Sequence, residues 1–214
     1  MLGNTYSRYG TDADENFAEF MTYFSGKNPQ IMLAVGGDNI INIDKASRQE
    51  LETTDYDAAI TSNPDNLLVL NAADCIPLVF YSKKQDFVAL AHVGTSGAVL
   101  HLPSKVIETI GVPREEIYCY VGPSISKKSY RFEKDKFEKK LDHSWDGYIT
   151  DEHDGIHINL LGYVLDELKG SGIKSDNIEI EEVDTGSDPD YFSHRRHKLT
   201  GEPDGRNCFA VCLL

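Results

Sequence analysis

The 214-residue chain contains no run of about 18 or more apolar residues, so no membrane-spanning helix is expected. Its first residues, MLGNTYSRYGTDADEN, lack the apolar core of a secretory leader, and the expectation is a cytoplasmic protein. Basic residues are scarce: 21 Lys and Arg stand against 35 Asp and Glu, a formal charge of −14. A surface that acidic repels phosphate polymers and anionic lipid, so neither nucleic acid nor a membrane is expected as a partner. A small nucleoside or amide substrate remains compatible, because a local basic pocket can oppose the global sign. Cysteine is sparse as well. Cys75, Cys119, Cys208 and Cys212 form no CxxC, which excludes a zinc knuckle and a thioredoxin motif. Cys208 and Cys212 lie in NCFAVCLL, which reads as a strand; four residues apart, they would sit roughly 13 Å from one another, too far for a disulfide. They are expected to be core thiols in a reducing compartment. With no internal repeat and no low-complexity tract, the length suits one elaborated domain over residues 1–214.

What is present is a dense succession of short apolar runs. A capping-box-like start at Thr11 to Asp14, followed by Phe17, Phe20, Met21 and Phe24 at helical spacing, predicts a helix over about 12–25. QIMLAV, the turn GGDN and IINID read as a hairpin. DAAITS, NLLVLNA, PLVFYS and DFVALAHV read as buried strands, the last breaking at Gly94 and Gly97 into a helix that runs toward Ile110 and is disturbed by Pro103. EIYCYVG, IEIEEVDT and RNCFAVCLL alternate as strands, DKFEKKLD as a short amphipathic helix, and HINLLGYVLDELKGSGI as a helix with Leu160, Leu161, Val164, Leu165 and Leu168 buried and Gly170 near its end. Hairpins mixed with strand–helix–strand units predict an α+β domain with mixed sheets.

Two residues have the chemistry and the placement of a reactive pair. Cys75 follows Asp74 in a short connection between buried strands, where sheet ends form clefts. His92 closes the next strand, just before Gly94. If those strands pair, thiol and imidazole emerge at one sheet edge, where the imidazole can activate the thiol or both can bind zinc. DTGSDPDYFSHRRHKLTGEPDGRN reads either as a long surface loop with paired arginines or as a loop in which Tyr191, Phe192, Arg195 or Arg206 grips an aromatic or anionic ligand. The segment holding His143, His153 and His157 reads as an exposed acidic loop or a cation site.

The collinear order DYDAAITS, LNAADCIPLVFYS, FVALAHVGTSG, VGPSISKKSYRF, HINLLGYVLDEL and DTGSDPDYFSHRR…TGEPDGRNCFAVCLL resembles the laccase-domain family, the purine nucleoside phosphorylase-like, peptidoglycan editing factor-like proteins also called multicopper polyphenol oxidoreductases. The resemblance implies a layered α/β/β/α domain with mixed sheets. It implies a metal site built from a His, the Cys of Ala-Asp-Cys and the His of Ala-His-x-Gly. The latter two fall on Cys75 and His92; the first falls on Gly36, and the usual Trp-Arg of the glycine turn is Thr95-Ser96. Zinc is then weakened by loss of one ligand, with His194 as the candidate substitute, and copper is not expected among seven scattered histidines. Arg195, Arg196 and Arg206 match the family's C-terminal motif and are expected at substrate. The implied activity is phosphorolysis or deamination of adenosine, inosine or methylthioadenosine at Cys75 and His92. A metal-independent cysteine hydrolase or amidase, peptidoglycan-precursor editing included, and a non-enzymatic relative are the alternatives.

Overall fold

Strict alternation along single strands divides the interior into two hydrophobic cores. The computed structural model describes residues 12–137 and 141–214. In chain order its elements are α1 (Ala13–Thr22), β1 (Asn28–Ile31), β2 (Ile40–Asn42), α2 (Arg48–Thr53), β3 (Ala58–Thr61), β4 (Asn66–Ala72), β5 (Ile76–Ser82), β6 (Val88–Val93), α3 (Thr95–Val99), α4 (Leu102–Ile110), β7 (Ile117–Val121), β8 (Arg131–Phe132), β9 (Ile149–Glu152), β10 (Gly155–Ile158), α5 (Leu160–Gly170), β11 (Ile178–Ile180), α6 (His194–Thr200) and β12 (Asn207–Val211). A six-stranded mixed sheet runs β11-β7-β5-β6-β3-β2; β1-β4-β12 and β8-β10-β9 form two smaller sheets.

Along β6, Ala89, Ala91 and Val93 join a core shared with Leu102 and Val106 of α4 and with Leu160, Val164 and Leu168 of α5. The intervening Val88 and Leu90 join a second core with Leu68, Leu70 and Ala72 of β4. Side chains alternate across a strand, so helices cover one face of the large sheet and the β1-β4-β12 sheet backs the other. Leu67, Leu68, Val69 and Leu70 are all fully buried, so β4 is covered on both of its faces. The α+β class with mixed, layered sheets matches the reading of the sequence.

Several local expectations are corrected. QIMLAV and IINID make no hairpin: β1 runs parallel to β4 in the small sheet, and β2 runs parallel to β3 at the edge of the large one. The backbone N–H groups of Val35, Gly36 and Gly37 between them donate to the Asp57 carboxylate rather than across a ladder. The C-terminal stretch is not all loop. It contains α6, capped by Ser193, whose side chain accepts from Arg196 N, and closed by Gly201 in the left-handed region. IEIEEVDT forms a strand only over Ile178–Ile180, with a separate parallel bridge between Asp184 and Ser124. The segment around His143 to His157 is a β9–β10 hairpin preceded by Trp145, which is fully buried and stacked on Tyr163 at 3.9 Å. Helix α1 begins after Asp12, which makes no side-chain cap; Thr11 lies outside the described residues, as does part of the DKFEKKLD segment. Cys208 and Cys212 are half-buried and not in a disulfide, where core thiols were expected.

Candidate active site

The register of the large sheet brings Cys75 and His92 together. Pro77 of β5 lies opposite His92 of β6, and Ile76 opposite Val93. Cys75, one residue ahead of β5, therefore falls beside Gly94, where an added Cβ would come within 3.0 Å of the Cys75 sulfur. Ile76 and Val93 point into the helix-side core, so Cys75 and His92 share the opposite face. Asp74 bends the chain into this position. It has φ +75°, a left-handed conformation that Asp tolerates better than most residues. Its side chain accepts from Thr185 Oγ1 (2.9 Å) and from Arg195 N (2.6 Å), and its carbonyl accepts from Ile125 N (2.9 Å).

The sequence reading missed Asp57. It follows Tyr56 in DYDAAITS and immediately precedes β3, where it looked like the polar start of a strand. It is completely buried, and His92 Nδ1 donates to its Oδ1 at 2.8 Å. Gly36 N and Gly37 N donate to the same carboxylate at 2.9 and 2.7 Å. Burial works against the Asp57 charge, but the His92 bond and the two glycine N–H groups outweigh it and hold its pKa below the usual carboxylate range. For His92 too burial opposes the charge; the Cys75 sulfur and Asp57 together push its pKa up to about 10. Cys119, buried among apolar side chains, has its thiol pKa pushed up by burial alone.

Cys75 stands where two chambers meet. One, of about 510 Å³, is walled by Ile125, Tyr130, Phe132 and Leu160, with His194, Arg195 and Lys198 of α6 on one side. The Arg195 guanidinium lies 4.1 Å over the Phe132 ring. The other chamber, of about 430 Å³, is more polar and includes Gly36, Asn71, His92, Ser96, His194 and Arg206. Cys75, Thr95, Tyr130 and His194 line both, and Thr95 Oγ1 and the Tyr130 hydroxyl are hydrogen-bonded at 2.9 Å.

Of the three arginines expected at substrate, Arg195 and Arg206 reach the chambers. Arg196 does not: its guanidinium bonds Glu202 Oε1 (2.5 Å) and the carbonyls of Thr185, Asp188 and Tyr191 (2.6–3.0 Å). Its place is to brace the loop before α6.

The ligand set for a metal can be judged from the donors. Position 36 is a glycine with φ +82°, a conformation that a histidine would adopt only under strain. His194 lines both chambers, with its Nδ1 3.7 Å from Asp204. Among the described residues, the one group of three candidate ligands with donor atoms mutually within 4.8 Å is Glu152, Asp154 and His157, which lines neither chamber. Those groups already pair among themselves and with Lys127. Cys75 and His92 thus give two donors, short of the three protein ligands of a catalytic zinc site. The other histidines are dispersed, with His143 and His153 at the surface, so the residues do not fit a multi-copper centre.

Residues 10–213 match the family model described as multi-copper polyphenol oxidoreductase laccase. A protein of Staphylococcus saprophyticus named purine nucleoside phosphorylase is 34% identical over 149 residues, 66% of this chain and 55% of its own length. One of the same name from Rickettsia conorii is 26% identical over 214 residues, 95% of this chain and 85% of its own. The crystal structure of YfiH from Bacillus licheniformis superposes with a TM-score of 0.81 at 22% identity, covering 99% of this chain and 85% of that one. YlmD from Geobacillus stearothermophilus gives 0.80 at 19% identity, covering 98% and 84%. These two likenesses show the fold.

Proposed function

The chain belongs to the multi-copper polyphenol oxidoreductase laccase family, and on that premise we propose that it processes purine nucleosides, by phosphorolysis or deamination, at Cys75 and His92. The observation that carries this reading is the shared cavity: a thiol and an imidazole from neighbouring strands face one space that is aromatic on one side and polar on the other. Phe132, Tyr130 and Leu160 offer flat apolar surface to a purine ring. The ribose and any attacking group belong in the polar chamber, with Arg206 as the cation there. The names of the Staphylococcus and Rickettsia relatives support the substrate class.

The proton work falls to His92. In phosphorolysis a phosphate oxygen bonds to C1′ as the bond from C1′ to the purine breaks, and the departing base needs a proton, which Nε2 of the imidazolium can give. In deamination water adds at C6 and ammonia leaves, again with one proton delivered. Holding the reactants in line and placing fixed charge beside the developing ions supplies the remainder. Cys75 and His92 would supply two donors to a zinc ion, one short of a catalytic site, and no step uses it.

One observation favours a second reading. Asp57 is bonded to His92, and His92 shares the polar chamber with Cys75, the order of groups in a metal-independent cysteine hydrolase acting on an amide. A single experiment separates the two. Adenosine, inosine and methylthioadenosine are incubated with the protein, with and without inorganic phosphate, and the products are resolved chromatographically. The proposal expects free base that depends on phosphate, or inosine from adenosine without it, and a loss of about 100-fold or more in Cys75→Ala. No turnover of any of the three, with or without added zinc, overturns it and leaves the amide hydrolase or a non-enzymatic relative.

A further inference from the structure

We infer that Asp57 is a positioning residue of this site: it fixes His92 in the tautomer and orientation that turn Nε2 toward the Cys75 sulfur. The inference rests on the reading of Cys75 and His92 as the reacting pair. Asp57 touches neither chamber, so it acts through His92.

Asp57 and His92 lie next to the Ala58–Ala91 pair that ends the β3–β6 ladder, their backbones joined by a bond from His92 N to Asp57 O at 2.7 Å. Both side chains leave the sheet on the face toward the β1-β4-β12 sheet, since the adjacent Ala58 and Ala91 belong to the opposite core. The carboxylate can only accept, so the imidazole proton at this contact sits on Nδ1, and the bond is 2.8 Å. The other ring nitrogen is thereby left for Cys75 and the cavity.

A carboxylate kept only to tie a loop would not need this contact. Three backbone N–H groups, of Val35, Gly36 and Gly37, already satisfy Asp57 at 3.3, 2.9 and 2.7 Å. A carboxylate in such a nest tolerates an apolar fourth neighbour. What stands there instead is a ring with its far side in the substrate cavity. The nest also makes the carboxylate rigid, which is what an orienting group requires. The same three bonds hold Gly36, the position at which the family resemblance would place a metal-ligating histidine. One buried anion therefore sets both the imidazole and the cavity wall facing it.

The test pairs a spectroscopic readout with a kinetic one. In the wild-type protein, nitrogen-15 NMR of the histidine rings across a pH titration is expected to show Nδ1 of His92 protonated throughout, with Nε2 the nitrogen that loses its proton as the ring becomes neutral. Asp57→Asn, which keeps the shape but can offer its N–H₂ to Nδ1, is expected to shift His92 toward the Nε2–H tautomer. It should also lower kcat by about 100-fold or more with KM changed by less than about threefold, as a wrong tautomer does in other catalytic sites. A wild-type His92 protonated on Nε2 alone overturns the inference whether or not the variant folds. So does a folded Asp57→Asn protein with an unaltered tautomer. If no nucleoside is turned over, the NMR result still decides the role of Asp57, while the substrate reading fails separately.

Discussion

His157 shows how a single buried ring can be read as a ligand and turn out to be a tie. Its Nε2 bonds Asp154 at 2.9 Å and its Nδ1 donates to the Lys127 carbonyl at 3.0 Å, joining the β9–β10 hairpin to the loop before β8. Burial works against the charge, but Asp154, the Lys127 carbonyl and Glu152 outweigh it and raise the His157 pKa. A raised folded-state pKa means stability that is complete below about pH 6.5, the unfolded value, and lost as pH rises through the higher folded value. The difference in Tm between the wild type and His157→Asn is therefore expected to narrow by about 2–4 °C from pH 6 to pH 9. A difference that widens over that range contradicts the imidazolium contact. Cys75 and His92 were legible in the sequence because each ends or begins an apolar run beside turn residues. Asp57 was not, because nothing in DYDAAITS distinguishes a buried acceptor from a polar residue at a strand end; its partners at Gly36, Gly37 and His92 come from other elements.

At the scale of elements, strands that are buried on both faces announced themselves as apolar runs, and β3, β4, β5 and β6 fall where DAAITS, NLLVLNA, PLVFYS and DFVALAHV predicted them. Which strands pair was not legible. GGDN carries the composition of a hairpin turn, yet the chain crosses there from one sheet to another because Asp57 takes up its N–H groups. Helix α6 was hidden by polar composition, although Ser193 before it and Gly201 after it are the cap residues that could have revealed it. Arg196 is central to that helix's placement. Its fork serves three carbonyls and one carboxylate, a geometry that lysine cannot reproduce. Arg196→Lys is expected to cost about 2 kcal/mol of stability in denaturant unfolding, with KM for the substrate unchanged. A raised KM with full stability would instead place Arg196 at the ligand.

Across the whole molecule, the cavity exists because two sheets meet over one strand edge. The end of β6 supplies His92, the residue just before β5 is Cys75, and the cations of α6 close one side. In a chain of net charge −14, Arg195 and Lys198 on the aromatic chamber and Arg206 on the polar one set local positive charge against the global sign. The sequence carried the family order of motifs over nearly its full length, and with it the fold; the division of the site into an aromatic and a polar chamber depends on loops whose packing no spacing encodes.

The central claim is that Cys75 works inside this cavity. Limited alkylation with iodoacetamide, followed by mass spectrometry of each cysteine and by nucleoside turnover on the same samples, tests it directly. The account predicts that turnover falls in proportion to Cys75 modification, that inosine or adenosine slows this modification, and that buried Cys119 is not labelled. Full modification of Cys75 with turnover intact would contradict it.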